Sequence, residues 1–320
     1  MRAFRILLAA FALAAGPALA QDYPSKAIRI VVPYPPGGAS DVTARVLGQK
    51  LAEAWNQQVV VDNRPCANGI LALEHVAKQA ADGHVLLMAN LGPNAINPAV
   101  YPKLPYDPLT DFAPVTLTTM VPQVLVVSGA SEYRTLRDFL DRARAEPGKL
   151  AYGTGGNGSA NHLGVELMAS IAGVKLSAVP YKGDAPAMTD VLSGQLAATL
   201  PTVVAALPQI RSGKLRALAV GTKARVSALP EVPTMHEAGV AGYESSSWGG
   251  VMAPGGTPAP VVAKLHAEFA RILRLPDVQE KMAGLGATVL AQGPTEFATF
   301  LADEIRKWDG VARKAGIRLE

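Results

Sequence analysis

Residues 28–45 read Ile28-Arg29-Ile30-Val31-Val32-Pro33-Tyr34-Pro35-Pro36-Gly37-Gly38-Ala39-Ser40-Asp41-Val42-Thr43-Ala44-Arg45, and this stretch decides the fold. Ile28, Ile30, Val31 and Val32 form a short β-branched run of the kind that fills a buried strand. Proline and glycine stop it, and a helical pattern opens at once, with Val42, Val46, Leu47, Leu51 and Trp55 on one face of residues 39–55. A strand that turns sharply into a helix leaves the first N–H groups of that helix without backbone partners. Those donors, with the positive end of the helix dipole, make a seat for a carboxylate or phosphate. Tyr34, Pro36, Gly37, Gly38, Ala39 and Ser40 are therefore candidate ligand-binding residues.

Outward from this unit, strand and helix patterns alternate, as in an α/β fold with largely parallel strands. Further strands are expected at 58–62, 84–89, 113–118, 122–127, 149–153, 176–180, 195–200 and 215–220. Helices are expected between them, including 135–145 and 159–172, and then in series at 259–273, 276–284 and 295–314, with a short strand near Thr288-Val289. The patterns at 113–118 and 122–127 leave little room for a helix, which points to a crossing between domains. A second crossing is expected near Tyr243 to Met252. One lobe would combine residues 21–122 with 246–320, the other would be 123–245, and a ligand cleft would lie between them.

Residues 1–20 have the three parts of a secretory signal: Arg2 and Arg5, an apolar stretch from Ile6 to Ala15, and Ala18-Leu19-Ala20 as the cleavage site. Gly16-Pro17 interrupts the segment, which is too short for a membrane span. Cleavage after Ala20 and a periplasmic destination are expected. The mature chain would carry 28 basic against 26 acidic side chains, too even a balance for a nucleic-acid surface. Cys66 is the only cysteine, so no internal disulfide is available and stability must come from core burial.

The second glycine-rich loop is Gly153-Thr154-Gly155-Gly156-Asn157-Gly158-Ser159-Ala160-Asn161-His162. Its spacing matches a dinucleotide fingerprint by letter. The next strand, however, ends Ala178-Val179-Pro180-Tyr181-Lys182, without the acidic residue that binds a ribose. Ser159 stands where a phosphate loop needs lysine. The general physics remains: few Cβ atoms let backbone N–H groups approach an anion, and Asn157, Ser159 and Asn161 add neutral donors and acceptors. The competing interpretation is a plain turn with Ser159 as a helix cap.

At Pro180-Tyr181-Lys182-Gly183-Asp184, Tyr181 offers an aromatic wall, Lys182 a charge for a dicarboxylate, and Asp184 a cap for a helix beginning near Ala185. Trp248 would line the pocket or plug the hinge. Asn90 and Thr202, at the ends of strand patterns, join Gly155, Asn157, Gly158, Ser159 and Asn161 as candidates. Catalytic patterns are absent: no G-x-S-x-G, no H-E-x-x-H, and no metal spacing beyond His162 and Glu166. Cys66 has no activating base in sequence. Neither a catalytic residue, a metal nor a cofactor is expected.

Several of these motifs occur together in a familiar order. The series is Tyr23-Pro24, the 28–38 stretch, Asp41, Asn63-Arg64-Pro65 and Ala95-Ile96-Asn97-Pro98; then the Gly-rich loop to His162-Leu163 and Pro180-Tyr181-Lys182-Gly183; then Gly213-Lys214-Leu215-Arg216-Ala217-Leu218-Ala219-Val220, Pro230-Glu231-Val232-Pro233-Thr234 and Trp248. Over essentially the whole mature chain it resembles the Bug family of periplasmic solute receptors, the binding components of tripartite tricarboxylate transporters. The resemblance implies a type II periplasmic-binding-protein fold: two α/β lobes, joined by two crossing strands, around a cleft. It also implies a small di- or tricarboxylate or aromatic acid, held by Tyr34 to Ser40 and by Gly155 to Asn161, and two integral membrane subunits as partners of a monomeric receptor. A sensor feeding a kinase, or a secreted hydrolase using the same cleft, are the alternatives. Two departures stand out. Cys66 and Asn68 replace glycines of the family's loop, and Pro201-Thr202 replace a Phe-Asp pair. The second removes an anchor for an ammonium group and so disfavours an amino-acid ligand.

Overall fold

The computed structural model describes residues 23–65, 67–181 and 183–319. Lys182, Cys66 and the expected signal lie outside the described residues. The chain opens with β1 (Ile28–Val32), α1 (Ala39–Trp55), β2 (Val59–Asn63), α2 (Ile70–Ala77), β3 (Val85–Asn90), α3 (Asn97–Val100) and β4 (Phe112–Pro122). It then forms β5 (Val124–Ser128), α4 (Leu136–Ala145), β6 (Ala151–Thr154), α5 (Ala160–Ala172), β7 (Ser177–Pro180), α6 (Asp184–Leu192), β8 (Ala198–Thr199), α7 (Val203–Arg211) and β9 (Leu215–Val220). It closes with β10 (Ser246–Pro254), α8 (Ala259–Leu273), α9 (Pro276–Gly284), β11 (Thr288–Gln292) and α10 (Pro294–Ala315).

Two mixed sheets organise these elements, in the orders β11-β4-β10-β3-β1-β2 and β7-β6-β8-β5-β9. In the first, β1 runs parallel to both β2 and β3, while β10 is antiparallel to β3 and β4. In the second, β6 runs parallel to β7 and β8. Alternation along each strand explains why both sheets are covered twice. Ile28, Ile30 and Val32 pack with Leu47 and Leu51 of α1 and Phe269 of α8, whereas Val31 and Leu87 turn to α2 and α10. Each fully buried leucine of this kind contributes about 1.5–3 kcal/mol. In the second lobe Leu125 and Val127 face α4 and α5, and Val124 and Val126 face α6 and α7.

Both connections between the sheets pass through one point. Only Gln123 separates β4 from β5. Its side-chain oxygen accepts from Ser245 Oγ at 2.8 Å, just before β10 starts, and its carbonyl accepts from Gly221 N at 2.8 Å. Ser245 N in turn donates to Gly221 O at 2.9 Å. A Cβ at Gly221 would lie 2.2 Å from the Ser245 carbonyl, so glycine is what allows the two crossings to touch.

The strand expected at 195–200 is the main correction. Its regular part is Ala198–Thr199 alone. Beyond it the backbone pairs through single bonds, such as Val124 N to Pro201 O at 3.0 Å. A tight π-helical turn over Gly92–Ile96 runs into α3, and Pro93 and Pro98 stand at first-turn positions, where proline is compatible with a helix. Asn68, one of the two departures noted in the sequence, has φ 51°, a left-handed conformation that asparagine tolerates.

Candidate functional site

In open α/β sheets ligands bind beyond the carboxyl ends of parallel strands. Here those ends are Tyr34–Ser40 after β1 and Asn90 of β3 in one lobe. In the other they are Gly155–Asn161 after β6, Tyr181, Gly183 and Asp184 after β7, and Thr202 after β8.

The first loop ends in a helix start without a side-chain cap. Gly38 is the N-cap of α1, with φ −76° and ψ 167°, and no side chain caps the helix. Gly37 N donates to Asp41 Oδ2 at 2.9 Å, and among the described residues no group accepts from the amides of Gly38, Ala39 or Ser40. Asp41 is buried. Burial opposes its ionisation, but hydrogen bonds from Arg45, Gly37 N and Asn63 hold its carboxyl below the usual range. It pins the loop: Asn63 Nδ2 bridges Asp41 Oδ1 at 2.9 Å and the Tyr34 carbonyl at 3.1 Å. Tyr34 itself is half-buried, and burial raises its hydroxyl to about 12. Asn90 Nδ2 donates to Ser40 Oγ at 2.8 Å, tying the end of β3 to the first turn of α1.

A cavity of about 60 Å³ opens beside this turn. Ala39, Ser40, Asn90 and Thr119 form its first-lobe side, Ser247 and Trp248 its floor at the second crossing, and Thr202 its second-lobe contribution. No charged side chain lines it among the described residues. Larger open troughs lie on the outside of the molecule. One of about 620 Å³ runs along Ala151 and Ala197, at the opposite edge of the second sheet from the strand ends that form the cleft.

The second glycine-rich loop behaves differently from the first. Gly155 N donates to Asn161 Oδ1 (2.9 Å), Gly156 N to Thr154 Oγ1 (3.2 Å), Gly158 N to His162 Nδ1 (3.1 Å) and Ser159 N to Gly156 O (3.2 Å). Ser159 Oγ caps α5 by accepting from His162 N. Four amides are thus spent inside the loop, which offers side chains rather than a nest of free donors. Asn157 is exposed. The loop does not line the enclosed cavity. It faces the other lobe at Gly158, where a Cβ would sit 2.7 Å from Leu319 and 3.3 Å from Val100.

Two further expectations are revised. Asp184 caps nothing: it is the first residue of α6, Gly183 is the N-cap, and no side-chain cap bond forms there. Its Oδ1 accepts instead from Asn161 Nδ2 at 2.7 Å, across to the neighbouring loop. The Tyr181 hydroxyl is already engaged, donating to Asp190 of α6. Of the two alternatives set for Trp248, the cavity lining is where it stands, packed against α10. It is 1% exposed and lines the cavity, and its ring meets Phe297 and Phe300 edge-on, with centroids 5.8 and 5.5 Å away.

One residue at the site was missed. Glu304 of α10, 7% exposed, accepts from Trp248 Nε1 at 3.1 Å and Trp308 Nε1 at 3.0 Å through one oxygen, while Lys307 pairs with the other. The signal was available: Glu304 interrupts the apolar stripe Phe297, Leu301, Trp308 and Val311.

Burial pushes the Asp184 carboxyl up to about 6, from 3.8. Between roughly pH 4 and 6 the folded protein therefore holds a proton that the unfolded chain has released. The residue opposes folding increasingly as pH rises through that window, and by a constant amount above it. Asp184→Asn should be more stable than wild type by about 1–2 kcal/mol near pH 7, allowing for partial exposure, with the gap closing near pH 4. Urea unfolding at the two pH values checks this; a gap that widens on acidification would refute it.

Residues 43–317 match the model of the tripartite tricarboxylate transporter family receptor, and the chain belongs to that family. It is 39% identical to the protein BugT of Bordetella pertussis, over 96% of this chain and 94% of BugT. Among solved structures it is similar to Rpa4515 of R. palustris with adipate, with 37% identity and TM-score 0.82 over 93% of this chain and 99% of that one. It is likewise similar to MatC of Rhodopseudomonas palustris with bound malate, with 33% identity and TM-score 0.78 over 90% and 99%. The fold is that of a periplasmic binding protein: two α/β lobes, two crossings and a cleft. Among the described residues no helix is long and apolar enough to cross a membrane.

Proposed function

We propose that this chain is an exported receptor that closes its two lobes on one small carboxylate and presents it to the two membrane subunits of a tripartite transporter. It acts as a monomer, after removal of residues 1–20, and makes or breaks no bond in its ligand. The lobes are residues 21–122 with 246–320 and residues 123–245, hinged where Gln123 meets Ser245 and Gly221. The observation that carries this proposal is the uncapped start of α1 at the cavity wall, with the amides of Gly38, Ala39 and Ser40 free of described partners.

A carboxylate there gains charge-assisted hydrogen bonds worth about 1.5–3 kcal/mol each. Two or three supply about 3–9 kcal/mol in all, so a dissociation constant near 1 μM, about −8 kcal/mol, also needs the burial of the ligand that lobe closure brings, against ordering and closure costs. That the relatives Rpa4515 and MatC hold adipate and malate supports the ligand class. Thermal-shift screening of the mature protein against di-, tri-, hydroxy-, amino- and aromatic carboxylates tests it. A ligand at about 100 times its dissociation constant stabilises by about 2.7 kcal/mol, so at least one class should raise the Tm by several degrees. No shift with any carboxylate would refute the proposal.

A further inference from the structure

Among the described residues the two sides of the cleft differ in charge. On the first-lobe side it presents the positive end of α1 with unpartnered amides, and the cavity lining beside it holds no charged group among the described residues. At the strand ends of the second lobe stands one carboxylate, Asp184. It sits in the first turn of α6 without making a side-chain cap bond there. The chain holds it in place all the same. Asn161 is fixed by accepting from Gly155 N at 2.9 Å, and its amide nitrogen donates to Asp184 Oδ1 at 2.7 Å. A Cβ at Gly155 would lie 3.1 Å from that same oxygen, so glycine leaves the carboxylate room beside the loop. The side chain is half-buried, neither lost in the core nor fully in water. Pro201-Thr202 put no carboxylate at the end of β8, but Asp184 supplies one at the end of β7, on the other side of β6.

We propose that Asp184 is a specificity-determining residue of the cleft: its carboxylate, oriented by Asn161, accepts a hydrogen bond from a hydroxyl or ammonium group of the same ligand whose carboxylate sits at the start of α1. The preferred ligand is then a hydroxy- or amino-substituted carboxylate, because a second carboxylate facing Asp184 is repelled. This inference rests on the receptor function proposed above. It also reverses the expectation, drawn from residues 201 and 202 alone, that an amino group is disfavoured.

The test is titration calorimetry at about pH 7.5, where the carboxylate is ionised, with the mature wild-type protein and Asp184→Asn. The probes are two matched series differing only at the far end: 4-aminobutyrate, 4-hydroxybutyrate and succinate, and 6-aminohexanoate, 6-hydroxyhexanoate and adipate. In wild type the amino or hydroxy member of at least one series should bind about tenfold or more tighter than the dicarboxylate. In Asp184→Asn that ratio should fall to about twofold or less, as the dicarboxylate gains and its partner loses. A wild-type preference for the dicarboxylate in both series overturns the inference while leaving the receptor function intact, and needs no variant to read. An unchanged ratio in a folded Asp184→Asn overturns it equally. No heat with any of the six probes in wild type overturns the inference, while the receptor function is judged separately by the wider carboxylate screen.

Discussion

Gly38→Asp is expected to lower affinity for the carboxylate ligand by about a hundredfold or more while leaving stability within about 0.5 kcal/mol of wild type. Two features separate the effects. Gly38 has φ −76°, which any residue adopts, and the atom nearest to an added Cβ is Pro35 O at 3.9 Å, so the side chain enters without strain. The N-cap is also a position that aspartate favours, because its carboxylate accepts from the second and third amides of the helix, here Ser40 and Asp41. The Ser40 amide is one that the ligand needs. The new charge would stand about 4 Å from the bound carboxylate, a repulsion of about 4 kcal/mol at an effective dielectric of 20. Gly38→Ala, which adds the methyl without the charge, should bind nearly as wild type. Calorimetry with any carboxylate that stabilises the protein, paired with urea unfolding, reads both quantities. Full affinity in Gly38→Asp would move the ligand away from α1.

The second large effect is on stability. Glu304→Ala is expected to cost about 3–5 kcal/mol, because it leaves buried donors without an acceptor. Trp248 Nε1 and Trp308 Nε1 both lose their partner, at 3.1 and 3.0 Å, and neither indole reaches water at 1% and 0% exposure. Lys307 is 29% exposed in its side chain and can turn outward, which limits the loss. Glu304→Gln keeps an oxygen for the indoles and should cost about 1–2 kcal/mol. Denaturant midpoints measure both. A loss under about 1 kcal/mol for the alanine variant would mean that the indoles find other acceptors. Because Trp248 also lines the cavity, Glu304→Ala should weaken ligand binding in molecules that remain folded.

Much of this arrangement was visible in the sequence, and the reason differs by element. β1 and the start of α1 were legible because strand, stop and helix signals follow one another within eighteen residues, so no long-range contact is needed to interpret them. The crossing at Gln123 was legible because two strand patterns abut without room for a helix. Helix α7 forms between two strand patterns, where a helix was expected, although it carries Pro208 in its interior, so tertiary packing overrides that local signal. The cavity itself is non-local. Thr119, Ser247 and Asn90 meet only because β10 inserts between β3 and β4, and sheet order cannot be seen in periodicity. The second glycine loop shows the opposite failure. Its composition announced free amides, but Asn161, Thr154 and His162 take them up, and hydrogen-bond accounting requires the folded side chains.

The most direct measurement is a crystal structure of the mature protein in complex with a carboxylate found by the thermal-shift screen. The ligand's carboxylate oxygens should lie about 2.7–3.1 Å from the amides of residues 38–40, directly or through one ordered water, with Thr202 approaching from the opposite lobe. A ligand seated in the outer trough along Ala151 and Ala197, or held in the cleft with no contact to the first turn of α1, would contradict it.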